Sequence, residues 1–183
     1  IFPKKNIFKN LKSISQLPES HPARRLVGER KIPETRHKDL YLCPAFYRFT
    51  NFLIKNKFPS LGGDHPRLLI PFRNECGEIF AYQGRSFGSE EPKYITIKLN
   101  AECDKIFGLD KVDKSKPILV VEGPLDSLFL DNCIAVAGSD FSKSLSVQGK
   151  ILLNEDLTII FDNEPRNSEI CKQIEKTIKQ GRN

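Results

Sequence analysis

The run Ile118-Leu119-Val120-Val121-Glu122-Gly123 carries the strongest fold signal in this sequence of 183 residues. Its first four residues are continuously apolar, which is typical of a strand that is covered on both faces of a parallel sheet. Two similar apolar runs follow, from Cys133 to Ala137 and from Leu157 to Phe161. The sequence therefore predicts three buried strands in its last third.

Two helices are expected around these strands. The stretch from Pro124 to Leu130 predicts a short helix with its proline in the first turn, where the missing N–H costs nothing. The stretch from Arg166 to Gln180 predicts a longer helix whose buried stripe is Ile170, Ile174 and Ile178. Strands that alternate with helices predict an α/β fold with a parallel sheet flanked by helices.

Acidic residues follow two of the predicted strands directly. Glu122 ends the first strand, with Asp126 four residues later, and Asp162 and Glu164 end the third. Functional groups gather at the carboxyl ends of parallel strands, so these side chains meet if the first and third strands are neighbours. Such a cluster needs a neutralising cation, and its hard oxygens suit Mg²⁺ or Mn²⁺. The alternative, stronger for Asp126 or Asp162 taken singly, is that these acids cap helices.

The part of the chain before these strands differs in its charge and in its hydrophobic pattern. Residues 1–20 are basic and weakly periodic, which predicts a linker or an arm. A helical pattern begins at His21, and strand-like runs follow it. We therefore expect a smaller basic α+β subdomain at residues 21–115, ahead of an α/β domain at residues 116–183.

A β-hairpin is the clearest feature of that subdomain. The run from Leu68 to Arg73 and the run from Glu78 to Phe87 have strand composition, and residues 74–77 between them form a turn signal. A further short strand is expected from Lys93 to Ile97.

Charge and cysteine usage narrow the class of protein. Residues 1–116 hold 22 Lys and Arg against 13 Asp and Glu, whereas residues 117–183 hold 7 against 10. A basic half joined to an acidic half suits a protein that binds a polyanion and metal ions, although ordinary solvated lysines explain the charge equally well. The five cysteines form no CxxC pair, which favours reduced, cytosolic thiols over a zinc ribbon or disulfides. No apolar run approaches the roughly 20 residues that cross a bilayer.

Several of these segments resemble a known family. Val120 to Asp126 (VVEGPLD) resembles the EGxxD motif of the Toprim domain, and Asp162 to Glu164 resembles its DxD motif with glutamate in the last place. The hairpin from Leu69 to Gly77 is similar to the "PIRDxxG" element of DnaG-type DNA primases. Tyr82 to Arg85 and Pro92 to Tyr94 are similar to the "GGR" and "PKYLN" segments of that family. The stretch FDNEPRNSEI at residues 161–170 is similar to primases of large tailed phages, and the resemblance covers about residues 21 to 180.

The resemblance implies a Toprim-type fold and a role in DNA replication. It implies that Glu122, Asp162 and Glu164 are catalytic and bind Mg²⁺ or Mn²⁺, with Asp126 joining or supporting them. It also implies that Arg73, Arg85 and Lys93 line a groove for nucleic acid and the incoming nucleotide. The expected activity is that of a primase, a DNA-directed RNA polymerase and nucleotidyltransferase. The expected partners are single-stranded DNA template, nucleoside triphosphates and a replicative helicase, in the cytoplasm of a bacterium or of a phage-infected host and without a membrane.

The sequence also departs from that family. The segment from Ala101 to Asp104 is acidic where the family is basic, and no zinc-binding module is present. The chain has no methionine and stops at Asn183, where a Toprim sheet continues, so we expect a processed or excised piece. Two alternatives remain: DNA cleavage by a Toprim nuclease or topoisomerase, and a non-catalytic module that binds DNA or a helicase. All four tyrosines precede the acidic strands, which argues against a topoisomerase.

Overall fold

The computed structural model describes residues 7–101, 105–137, 156–164 and 166–179. These residues form two compact units. The first unit comprises residues up to Phe72 together with Glu78–Ala101, and the second comprises Arg73–Gly77 together with the residues from 105 onward. No helix among the described residues is both long enough and apolar enough to span a membrane.

The first unit is built on a four-stranded sheet with the order β1-β2-β3-β4. β1 pairs antiparallel with β2, and β3 pairs antiparallel with β4. The hairpin expected from the sequence is present as β2 and β3, and Gly77 N–H donates to Asn74 O at 2.8 Å in the turn between them. The elements are α1 (Pro22–Glu29), β1 (Tyr41–Cys43), α2 (Phe46–Leu53), β2 (Arg67–Arg73), β3 (Ile79–Ser86) and β4 (Tyr94–Lys98), with 3₁₀ turns at Ile14–Gln16 and Glu34–Asp39.

The segment expected to be a linker or an arm, residues 1–20, differs from that expectation from Phe8 onward. Phe8 is 1% exposed, and its ring packs 5.7 Å from that of Tyr82. Ile14 is fully buried, and its N–H donates to Leu40 O at 2.8 Å. Burial of these two apolar side chains favours packing of the segment against the first unit despite its basic charge. Weak periodicity did not predict this, because the contacts are made with residues far along the chain.

α2 begins without a cap of its own, because Ala45 at its N-cap position has no polar side chain. Asp64 supplies the missing acceptor from a later loop. Its carboxylate accepts from Tyr47 N–H at 2.7 Å and from Arg48 N–H at 3.1 Å. A carboxylate at a helix N-terminus satisfies free N–H groups and complements the helix dipole, so Asp64 ties the loop before β2 to α2.

The second unit is built on a four-stranded sheet with the order β5-β7-β6-β8. β6 runs parallel to β7 and to β8, as expected, and β5 joins the edge antiparallel to β7. The core lies among Ile118 and Val120 of β6, Ile134 and Val136 of β7, and Ile106 of β5. The elements are β5 (Ile106–Phe107), β6 (Ile118–Val121), β7 (Cys133–Val136), β8 (Leu157–Ile159) and α3 (Ser168–Lys179), with 3₁₀ turns at Leu109–Lys111 and Asp126–Phe129.

Because β5 pairs with β7, the division between the units falls near residue 102, whereas the sequence predicted it between residues 115 and 116. The short helix expected from Pro124 to Leu130 is a 3₁₀ turn over Asp126–Phe129. Few residues separate β6 from β7, and so short a segment closes i→i+3 bonds more readily than an α-helical nucleus. The stretch between β7 and β8, residues 138–155, lies outside the described residues.

The buried stripe of α3 differs in one position from the predicted one. Ile170 is buried and Ile174 is half-buried, but Ile178 is 67% exposed. A step of four residues advances about 40° beyond one turn, so the third isoleucine has rotated away from the buried face. Thr177 takes that place, and its hydroxyl donates to Gln173 O at 2.9 Å.

Candidate functional site

The two acidic strand ends lie on neighbouring strands. β6 and β8 are parallel partners, with Val120 opposite Ile159, and Ile160 N–H donates to Val120 O at 2.8 Å. Parallel neighbours end at the same edge of the sheet. Glu122 and Asp162 therefore follow their strands at the same edge of the sheet. The sequence required the first and third strands to be neighbours for these acids to meet, and they are.

Glu122 is the carboxylate that this environment disturbs most clearly. It is half-buried, whereas Asp162 and Glu164 are exposed. Burial raises the pKa of Glu122, and the negative charges of Asp162, Glu164 and Asp126 raise it further. Among the described residues, no lysine or arginine forms an ion pair with Glu122, Asp162 or Glu164. The site is thus a cluster of mutually repelling carboxylates.

The turn after β6 brings Asp126 back toward Glu122. The N–H groups of Asp126 and Ser127 both donate to Gly123 O, at 3.0 and 3.1 Å. The carboxylate of Asp126 lies where a side chain at position 123 would stand, since a Cβ there would be 3.0 Å from Asp126 Cγ and in collision with Oδ2. Glycine at position 123 thus leaves room for the Asp126 carboxylate in this orientation, and a larger residue would require that exposed side chain to turn away.

Glu164 is held by a residue that the sequence analysis missed. Asn167 Nδ2 donates to Glu164 Oε2 at 2.8 Å, and Asn167 Oδ1 accepts from Glu169 N–H at 3.1 Å. Asn167 therefore orients a carboxylate of the cluster and satisfies an N–H group in the first turn of α3 at the same time. The helix was predicted to begin at Arg166, whereas it begins at Ser168, which places Asn167 at its N-cap. Asparagine is a preferred residue at that position, so its place near the start of the helical pattern was the available signal.

The carboxylates supply suitable ligands but not a closed metal cage. Among the described residues, no group of three or more His, Cys, Asp and Glu side chains has the geometry to hold a metal ion. The donor set itself fits Mg²⁺ or Mn²⁺, because it consists of hard carboxylate oxygens, and in the described part of the chain no lysine or arginine pairs with Glu122, Asp162 or Glu164. Asp162 is exposed, so its side chain has room to turn toward an ion at the edge of the sheet.

The three cations predicted to bind nucleic acid differ in how far they reach solvent. Lys93 is exposed, and Arg73 is half-buried, with its Nη1 donating to Gly77 O at 3.0 Å. Arg85 is only 7% exposed. Its Nη1 donates to Ser86 O at 2.9 Å, and its guanidinium lies 5.9 Å from the ring centroid of Tyr94. Arg85 therefore offers nucleic acid little surface of its own.

Tyr94 is the second residue that the sequence analysis did not assign. Its side chain is exposed, and Arg85 Nε donates to its hydroxyl at 3.3 Å from behind. An exposed ring backed by a guanidinium can stack on a nucleobase, and such stacking tolerates any base. The sequence did offer a signal for this role, because Tyr94 is an aromatic residue directly after Lys93, a predicted nucleic-acid contact, at the start of an expected strand.

No family model matches the chain. Over 183 residues it is 32% identical to a DNA primase of Enterobacteria phage T4, a match that covers 98% of this chain and 52% of that protein. The chain thus spans about half the length of this curated relative.

Solved structures agree on the fold. The zinc-binding and RNA polymerase domains of the Aquifex aeolicus primase superpose with a TM-score of 0.65 at 21% identity, covering 91% of this chain and 47% of that one. The RNA polymerase domain of the Mycobacterium tuberculosis primase DnaG, in complex with double-stranded DNA, superposes with a TM-score of 0.61 at 21% identity, covering 86% of this chain and 62% of that one.

Proposed function

The chain belongs to the DNA primase family, and we propose that it carries the nucleotidyl-transfer site with which such an enzyme makes RNA primers on single-stranded DNA. One observation carries the proposal: the match to a primase runs through nearly the whole chain and includes the paired acidic ends of β6 and β8. The activity of a whole primase comes to this chain as a proposal, because the chain spans only about half of that relative.

Glu122, Asp162 and Glu164 would hold the divalent ions, with Asp126 supporting them. When bound, Mg²⁺ or Mn²⁺ would lower the pKa of the primer 3′-hydroxyl and neutralise the triphosphate. Glu122 contributes the most fixed carboxylate, because it extends directly from the buried strand β6. The remaining task of these residues is to hold their oxygens in place before the substrates arrive, which is the main source of catalysis in such a site.

The template and the nucleotide would be bound by basic and aromatic side chains. Lys93 supplies an exposed point charge for phosphate, and Arg73 supplies a planar donor fork. Tyr94 would stack on a base, with Arg85 supporting its ring. The DNA complex of the Mycobacterium tuberculosis domain supports a DNA partner. Nucleoside triphosphates as substrates follow from the proposed reaction, and a replicative helicase as partner remains a prediction.

The test is ribonucleotide incorporation on a single-stranded DNA template with Mg²⁺ or Mn²⁺, comparing the wild type with Asp162→Ala. The variant is expected to lose at least about 100-fold in rate, the scale of losing one group that stabilises the transition state. Asp131→Ala is the matched control, because Asp131 is an exposed acid of the same unit at the amino end of β7. It should synthesise primers at the wild-type rate.

Equal synthesis by the wild type and Asp162→Ala would contradict the role of Asp162 as a metal ligand. Nicking of DNA by a wild type that makes no primers would replace the proposal with DNA cleavage. Binding of DNA with neither activity would replace it with a binding module.

A further inference from the structure

Arg67, the first residue of β2, is a buried cation that the site described above does not use. Its side chain is 0% exposed, and its guanidinium lies 5.4 Å from the ring centroid of Phe46. Burial lowers the pKa of Arg67, and the charges of Tyr47, Glu90 and Glu91 oppose that effect. Within the described ranges, no carboxylate forms an ion pair with it. A charge in such a place is costly unless strong hydrogen bonds offset it.

The hydrogen bonds of Arg67 all go to one strand end and one loop. Its Nη1 carries two hydrogens and has three acceptors in reach, Gly84 O at 3.0 Å, Pro92 O at 2.9 Å and Lys93 O at 3.3 Å, so one N–H is shared between two carbonyls. Nε and Nη2 have no hydrogen-bond partner among the described residues. Lys93 O also accepts from Ser86 N–H at 2.9 Å. One guanidinium nitrogen thus joins the residue before Arg85 to the backbone of Lys93.

We propose that Arg67 is a positioning residue for nucleic-acid binding, which holds the backbone that presents Lys93 and the Arg85–Tyr94 pair. The inference rests on the proposed function of Lys93 and Tyr94. Arg67 itself cannot touch DNA, because none of its surface is exposed. Hydrogen bonds from a charged donor are roughly twice as strong as neutral ones, so these bonds fix the loop firmly.

Fixing this backbone matters for binding. Lysine has a long flexible side chain, and ordering a mobile loop at the moment of binding costs entropy in addition to ordering the side chain. With Lys93 O held by two donors, only the side chain remains to be ordered. Loss of Arg67 should therefore weaken the contribution of Lys93 without removing any group that touches DNA.

A double-mutant cycle tests this coupling. Binding of a labelled single-stranded oligonucleotide is measured by fluorescence anisotropy at several salt concentrations for the wild type, Arg67→Met, Lys93→Ala and the double variant. Arg67→Met is expected to lower the salt slope by about 0.7, the value of one phosphate contact on single strands. In the Lys93→Ala background the same substitution should leave the slope unchanged.

The matched control is Arg25→Met, which removes an exposed cation of the first unit. Its effect on the slope, whatever its size, should be the same in both backgrounds. An Arg67→Met effect that is also equal in both backgrounds would overturn the positioning role.

Trypsin digestion reads the backbone directly and needs no DNA. Cleavage after Lys93, relative to cleavage after the exposed Lys55, should be several-fold faster in Arg67→Met than in the wild type. If Arg67→Met shows no cooperative unfolding, Arg67→Lys is used in the same two measurements. Its ammonium group keeps one donor group, so its salt slope and its rate of cleavage after Lys93 should lie between those expected for the wild type and for Arg67→Met.

The two proposals fail in different ways. A wild type that does not bind single-stranded DNA would overturn the proposed function, and with it the role of Arg67 in binding. A wild type that binds DNA, combined with unchanged cleavage after Lys93 in the variants, would overturn the positioning role alone.

Discussion

The two units hold their functional charges in opposite ways. In the first unit, Arg67 and Arg85 are buried, and each donates to backbone carbonyls. In the second unit, Glu122 is half-buried among acids that raise its pKa. Carbonyl acceptors come with every residue of the fold, so the chain itself can offer hydrogen bonds to a buried cation, as it does to Nη1 of Arg67, although Nε and Nη2 of Arg67 have no partner among the described residues. Asn167 donates to Glu164, but no lysine or arginine among the described residues pairs with Glu122, Asp162 or Glu164, so the repulsion between these three carboxylates stays until a cation binds.

This comparison predicts that a substitution that crowds the buried charges of the first unit lowers the free energy of unfolding. The largest such loss is expected for Gly84→Ala. A Cβ at Gly84 would lie 2.8 Å from Phe46 Cζ, and the ring has Arg67 on one side. Overpacking of this kind costs about 1–3 kcal/mol. Urea unfolding measures the loss, and Gly28→Ala in α1 is the control, because nothing lies within 4 Å of that position.

Phe46→Leu should relieve part of that loss. In the double variant with Gly84→Ala, the smaller side chain gives the new methyl group room, so the two costs should sum to more than the cost of the double variant. Simple addition of the two costs would show that the Phe46 ring is free to move, and the first unit would then be less rigid than this comparison holds.

A smaller effect is expected from the buried hydrogen bond between α2 and β3. The hydroxyl of Tyr82 donates to Thr50 Oγ1 at 2.9 Å, and both side chains are 0% exposed. Tyr82→Phe leaves the Thr50 hydroxyl without this partner and should cost about 1 kcal/mol in urea unfolding. Adding Thr50→Val should recover much of that loss, because both polar groups are then gone. Full stability of Tyr82→Phe alone would contradict this account.

The smallest expected effect is a gain of stability, and it comes from a substitution in the second unit. The pKa of Glu122 is raised in the folded state, so the folded protein binds this proton more tightly than the unfolded chain. Without metal, the wild type therefore loses stability as the pH rises from the ordinary pKa of glutamate through the raised one. Glu122→Gln escapes this loss, so its melting temperature should exceed that of the wild type at about pH 7 but not at about pH 3.

Thermal melts in EDTA measure this difference, and Mg²⁺ should then raise the melting temperature of the wild type and leave that of Glu122→Gln nearly unchanged. A variant that melts below the wild type at neutral pH would show that Glu122 has a stabilising partner, and the contrast between the units would be lost.

Much of the second unit could be predicted from its sequence. The apolar run at residues 118–121 and its two successors became the parallel strands β6, β7 and β8, because continuous apolar runs have few other places to fold. The sequence could not predict β5 as an antiparallel edge of the same sheet, since a two-residue strand has no periodicity of its own. Nor could it predict that Phe8 enters the core, which depends on aromatic side chains far along the chain.

The candidate site divides in the same way. The sequence by itself placed Glu122, Asp162 and Glu164 after buried strands, because local pattern sets where such strands end, and their role as metal ligands stays a prediction. Only the tertiary structure decided that β6 and β8 are neighbours, that Arg85 lies behind Tyr94, and that Arg67 is buried under the loop of Lys93. Strand order and the burial of a charge both depend on contacts between distant residues, and no local pattern encodes them.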